Sequence, residues 1–203
     1  MGADLLQPVG GLAPLAHGSL ISGMRYIQIE MPPDGSEEIV GARQIISSYA
    51  IVLTQMCDLQ QDFKARFPEH RLSAAAGFDE RDKYLLPNIL ICEAFDEGDF
   101  RNFPQINRKF FEKVLKNEHV RYGVIEIENA ADAGAPERLF IDFRRLILIP
   151  PEDIYSQIAH EPNVRYLGIL PRAYRSHLAQ RLFAYYLRVD LPSDIEDIPY
   201  HIE

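Results

Sequence analysis

An α+β fold is predicted: a small, mostly antiparallel β-barrel or curved sheet, with inserted helices and a long C-terminal helix. Three observations predict it. Residues 24–30, 121–128 and 139–149 alternate between apolar and polar, residues 45–54 and 88–95 are β-branched or apolar throughout, and Pro171 opens a stretch with apolar residues at helical spacing. Alternating runs suit antiparallel strands with one wet face, and continuous ones suit strands covered on both sides.

In chain order, residues 1–22 are rich in Gly, Pro, Leu and Ala without a period, which reads as an irregular arm packed on a surface or a partner. Arg25-Tyr26-Ile27-Gln28-Ile29-Glu30 then alternates as a half-buried strand, and Pro32-Pro33-Asp34-Gly35 supplies turn chemistry before an acid-rich hairpin loop. Residues 45–54 (IISSYAIVLT) predict a central strand. Leu59, Phe63 and Phe67 recur every four residues, as in a short amphipathic helix stopped by Pro68. Residues 88–95 (NILICEAF) predict another buried strand. Ile106, Phe110, Val114 and Leu115 mark the inner stripe of a helix whose outside carries Arg108, Lys109, Lys113 and Lys116.

Residues 121–128 and 139–149 form a predicted hairpin around a small-residue loop, closed by Pro150-Pro151, and residues 164–170 add a last short strand. Pro171 then sits at the start of the longest helix, with Tyr174, Leu178, Leu182, Phe183 and Tyr186 on one stripe that runs to Leu191. The predicted organisation is an arm over 1–22, a single α+β domain over 23–192 and an acidic tail over 193–203.

The bulk composition narrows the class. A chain of 203 residues, 47% apolar and 25% charged, can bury one sizeable core. The formal charge of −9 opposes loose binding to nucleic acid, because counterion release needs clustered cations. No apolar run approaches the ~20 residues of a spanning helix, and the N-terminus lacks a basic n-region, so no membrane and a cytoplasmic location are expected. The only cysteines, Cys57 and Cys92, fit neither a disulfide framework nor a zinc-finger spacing. No metal or cofactor is expected.

Cys57 and Asp58 are the best candidates for chemistry, because a strand-to-helix junction can aim backbone N–H groups at a thiol and favour its thiolate. His70, His119 and His177 are candidate bases. The competing reading makes Cys57 a buried packing residue and Asp58 the N-cap of the helix, as both residue types commonly are, and the sequence favours it. A metal site from Cys57, Cys92 and a histidine is conceivable but lacks paired spacing. Asp142 and Glu126 lie in alternating strands, where an inward carboxylate needs a partner such as Arg144 or Arg121. Surface charge ladders explain them equally well. Arg172, Arg175, Arg181 and Arg188 on the last helix, with Lys109, Lys113 and Lys116, form the candidate nucleic-acid or partner surface, against a solvated helix face.

Three segments carry a resemblance: Val52-Leu53-Thr54-Gln55-Met56-Cys57-Asp58-Leu59; Phe140-Ile141-Asp142-Phe143-Arg144-Arg145; and Leu170-Pro171-Arg172-Ala173-Tyr174-Arg175 through Arg188-Val189-Asp190-Leu191-Pro192. Together they resemble a group of uncharacterised bacterial proteins with a Ser/Thr-Gln-x-Cys-Asp segment. The β-rich first part is similar, more faintly, to the small SH3-like barrels of the PemK-type toxin family, without that family's Gly-rich opening strand and Arg-Pro segment before the buried strand, and an SH3-like or PemK-like barrel is what this likeness implies. The resemblance implies a setting among mobile or defence genes. The expected function is a non-enzymatic interaction or regulatory subunit of a bacterial multi-protein system, with a protein partner or a homo-oligomer. The alternative is a cysteine-dependent hydrolase or divergent PemK-like nuclease using Cys57.

Overall fold

The computed structural model describes residues 3–4, 14–30, 41–67, 82–128 and 130–187. The chain runs β1 (Ala3–Asp4), β2 (Ser19–Glu30), β3 (Gly41–Val52), α1 (Met56–Arg66), a 3-10 turn (Asp82–Tyr84), β4 (Ile89–Phe95), α2 (Glu97–Arg101), α3 (Arg108–Leu115), β5 (Tyr122–Glu128), α4 (Ala130–Ala133), β6 (Arg138–Ile149), α5 (Pro151–His160), β7 (Arg165–Ile169) and α6 (Arg172–Tyr186). The strands order β1-β5-β6-β4-β3-β2-β7, and every pairing is antiparallel except the short parallel bridge of β1 to β5.

Side-chain alternation gives the sheet two apolar faces. Ile21, Ala50, Val52 and Ile91 face α1 and α5, where they pack with Leu59, Phe63, Ile154 and Tyr155. Their neighbours Leu20, Ile51 and Cys92 face the other way and join Ile125, Ile141 and Phe143 beneath Leu178 of α6. At the β5–β6 end, Phe100 and Phe111 of α2 and α3 close over Tyr122, Val124 and Phe140. Phe100 stacks on Phe140 with ring centroids 4.6 Å apart. Helices thus cover both faces, as the apolar strands require.

The sheet curls but does not close. A Cβ added at Gly134, in the β5–β6 connection, would meet the guanidinium of Arg165 on β7 at 2.7 Å, so the two ends of the sheet approach each other. Among the described residues β7 pairs only with β2, and the predicted barrel gives way to an open, curved sheet.

Three irregularities interrupt the regular alternation of the strands, one of them the register shift between Leu20↔Gly168 and Ile21↔Tyr166 where β2 pairs with β7. Gly23 has φ +70, and a Cβ there would lie 2.2 Å from the Asn163 carbonyl oxygen, so only glycine fits where β2 passes the β7 connection. Beyond it the facing changes: Ile21 and Met24 share the α1–α5 cluster although three residues separate them along the strand. In β6 the register jumps from Cys92↔Leu146 to Ala94↔Ile141, which loops out residues 142–145 opposite Glu93.

Several elements depart from the expectations. β2 begins at Ser19 and Leu15 is buried in the core, inside the stretch expected to be an irregular arm. β3 is central only over its second half, where it pairs with β4; among the described residues its first half pairs with β2 alone. Pro151 starts α5 instead of simply closing a hairpin, since its missing N–H costs nothing in a first helical turn. Of the predicted α6 stripe only Leu178 is buried, while Phe183 and Tyr186 are exposed. The acidic tail lies outside the described residues.

Candidate functional site

The β6 bulge brings buried carboxylates to the centre of the sheet. Asp142 is 0% exposed and receives a two-pronged contact from Arg121, Nε to Oδ1 at 2.8 Å and Nη2 to Oδ2 at 2.5 Å. The Arg144 backbone N–H donates to the same carboxylate at 3.1 Å, and Arg145 Nε lies 3.6 Å from it. Glu93 is 4% exposed; it accepts from Tyr26 Oη at 2.9 Å and from Arg145 Nη1 at 3.0 Å. The bond to Asp142 raises the Arg121 pKa, and burial, then Glu93, pushes up that of Tyr26. Burial, then Asp142 and Glu93, pushes the Cys92 thiol strongly upward. These carboxylates are saturated by paired donors, which is what buried charge demands and what leaves little for a substrate. Of the carboxylates weighed from sequence, Asp142 takes the Arg121 partner, and Glu126 pairs with Arg138 at the surface.

Cys57 is exposed, not buried in packing, at the start of α1. Gln55 occupies the N-cap position without a side-chain capping bond, and Asp58 falls in the first turn, so the expected Asp58 cap is corrected. The shift arises because the helix starts at Met56 in place of Leu59. The Cys57 thiol meets Gln55 Oε1 at 3.7 Å and Asp58 Oδ1 at 3.5 Å. None of the candidate bases is brought to it among the described residues. His119 lies against Phe110 and Tyr122 and accepts from the Arg121 N–H, His177 is on α6 with its pKa lowered by burial and by Arg181, and His70 lies outside the described residues. Cys92 is in the core beneath α6, so the two thiols do not share an environment. No metal-binding group of His, Cys, Asp and Glu is formed among the described residues.

The α6 arginines do not act as one surface. Arg181 is spent internally: Nη1 donates to the Asn117 carbonyl at 2.9 Å, and Nη2 to those of His119 at 2.7 Å and Tyr122 at 2.5 Å. Burial lowers its pKa. The Arg175 stem covers Gly18, where an added Cβ would lie 2.6 Å from its Cγ. Arg172 is exposed, and Arg188 lies outside the described residues. On α3, Lys109, Lys113 and Lys116 are exposed. α6 therefore uses Arg181 to tie itself to the α3–β5 turn.

The unusual surface lies elsewhere, on the end of the β2–β3 hairpin that extends past β7 on one side and past β4 on the other. Here Ile27, Ile29 and Ile46 are 71%, 55% and 64% exposed. Beside this ribbon lies a groove of about 410 Å³, bounded by Arg25 to Ile27, by Ile147 to Pro150 with the exposed Leu148 on its rim, and by α5. At its inner end the Gln157 side-chain amide imitates a neighbouring strand: the Arg25 N–H donates to Gln157 Oε1 at 2.8 Å and Gln157 Nε2 donates to the Arg25 carbonyl at 2.9 Å. Beyond Arg25 no strand pairs with the outer edge of β2 among the described residues.

Sequence reasoning missed Glu93, Tyr26, Arg145, Gln157 and the exposure of the ribbon. Two signals were available: Glu93 is the one charged residue inside an apolar strand run, and Arg144-Arg145 interrupts the alternation of β6. Nothing in the alternation of residues 24–30 distinguishes a half-buried strand from one that leaves the sheet. No protein-family model matches the chain, and no curated protein matches it. No described helix is long and apolar enough to cross a membrane.

Proposed function

We propose that this chain is a non-enzymatic interaction subunit whose working surface is the free end of the β2–β3 ribbon and the groove beside it. The observation that carries this reading is the concentration of exposed isoleucines on a strand pair with open edges. An apolar strand edge left open is a template for pairing, and proteins ordinarily blunt such edges with charge, proline or a covering element. Here Gln157 covers one position, and among the described residues no strand pairs with the next ones. The resemblance to a group of uncharacterised bacterial proteins favours a bacterial multi-protein system as the setting. The test is native co-purification of the full chain against Ile27→Lys/Ile29→Lys: the unsubstituted chain comes down in a stable complex, with itself or another protein, and the double variant does not. Equal recovery of the complex by both would refute the reading.

The exposure of Cys57 favours a second reading, a thiol-dependent hydrolase or PemK-like nuclease with Asp58 nearby. Its test is alkylation rate against pH with Cys92→Ala as background. A thiolate titrating well below the ~8.5 of free cysteine supports it, and ordinary reactivity removes it.

A further inference from the structure

We propose that the partner of the ribbon is a second copy of this chain, joined along the outer edge of β2 by an antiparallel two-fold pairing centred on Gln28. The proposal rests on the interaction reading and specifies its occupant and register. The backbone geometry starts from Gln157. Because both the N–H and the C=O of Arg25 point to that side chain, they point away from β3. Strand alternation then turns the corresponding groups of Ile27 and Ile29 outward as well, and those of Gln28 inward to β3.

A symmetric antiparallel pair must match outward groups with outward groups. Centring it on Gln28 sets Ile27 of each copy opposite Ile29 of the other, which supplies about four main-chain hydrogen bonds. The same register stacks the exposed isoleucines in cross-strand pairs and adds no charge, since Ile27-Gln28-Ile29 is neutral in a chain of net charge −9. The edge of β3 is the poorer candidate. It carries Arg43, and its approach is flanked by α2, where Ser48 donates to Asp99 at 2.7 Å. On β2 the Gln157 amide ends the open stretch at one side, which fixes where the incoming strand stops. Recognition by edge pairing, with backbone bonds for affinity and alternate side chains for register, is an established binding mode.

Sedimentation of the full chain measures the oligomeric state, and Gln28→Cys in a Cys57→Ser background measures the register. The geometry places position 28 opposite itself in a non-hydrogen-bonded pair, about 4.5 Å between Cα atoms, within reach of a disulfide. The expected results are a dimer whose dissociation constant rises on the order of 100-fold in Ile27→Lys/Ile29→Lys, with an unchanged melting temperature at concentrations where both proteins are monomeric, and rapid oxidative cross-linking by Gln28→Cys but not by Gln44→Cys. A monomer at every accessible concentration overturns the proposal, as does a dimer indifferent to the double substitution or cross-linking that is no faster at position 28 than at 44. If the chain is monomeric and the double variant loses a different protein in co-purification, the self-pairing fails while the interaction reading stands.

Discussion

The centre of the sheet and the end of the β2–β3 ribbon break the usual distribution of residues in opposite senses. At the centre, Asp142 and Glu93 are buried charges; on the ribbon, Ile27, Ile29 and Ile46 are exposed hydrocarbon. The first anomaly is resolved within the chain, because Arg121, Arg145, Tyr26 and backbone N–H groups take up the carboxylate oxygens. The second has no counterpart among the described residues. A buried polar group with all its partners is architecture, and an apolar edge with none among the described residues is a template that edge pairing would use.

The largest expected effect comes from breaking the central pair. Arg121→Ala leaves Asp142 buried without its main partner and is expected to cost about 3–5 kcal/mol in denaturant unfolding, whereas an exposed pair such as Arg108 with Glu112 contributes less than ~1 kcal/mol. If the two substitutions cost the same, the centre is not the closed network described. Gly23→Ala comes next, at about 2–3 kcal/mol, because it combines a left-handed backbone with a contact on the Asn163 carbonyl. The same measurement applies.

A pH test probes the α1–α5 face. Burial, opposed by the Leu15 backbone N–H, pushes the Tyr155 hydroxyl up to about 12 from its ordinary 10.0. The folded state therefore holds the proton more tightly than the unfolded one. Its contribution is complete below pH ~10 and is lost progressively as pH rises towards ~12, on the order of 2–3 kcal/mol over that window. Urea midpoints measured from pH 8 to 11.5 should fall less steeply in Tyr155→Phe than in the unsubstituted chain; parallel curves would contradict the assignment. The smallest expected effect on stability is on the ribbon itself. Ile27→Lys/Ile29→Lys should change the unfolding free energy of the monomer, measured below the dissociation constant, by no more than ~0.5 kcal/mol per site while weakening the proposed association, and a large loss of monomer stability would show that these residues belong to the folded core.

Most strands and three of the helices were legible because their signals are local. Leu59 and Phe63 lie on one face of α1 by spacing alone, and the apolar run that became β4 reads as a buried strand whatever it packs against. The short α2 was missed because five residues carry too little periodicity to register. α5 was missed because Pro150-Pro151 signals a stop as readily as a start. Cys57 was misjudged because burial of cysteine is a tendency of the residue type, and the position of this one depends on where α1 begins.

By itself, the sequence determined the α+β class, the antiparallel character of the strands, the long final helix and that Asp142, if it turned inward, would need a partner. Each of these follows from period, composition or the cost of burying a charge, and none needs to know what lies across the fold. Tertiary structure alone decided that the sheet stays open among the described residues, that Arg181 turns inward, that Glu93 meets Tyr26 across the intervening β3, and that Ile27, Ile29 and Ile46 face solvent. Those outcomes depend on which segments distant in sequence arrive as neighbours, and an isoleucine in an alternating strand reads the same whether its partner comes from this chain or another.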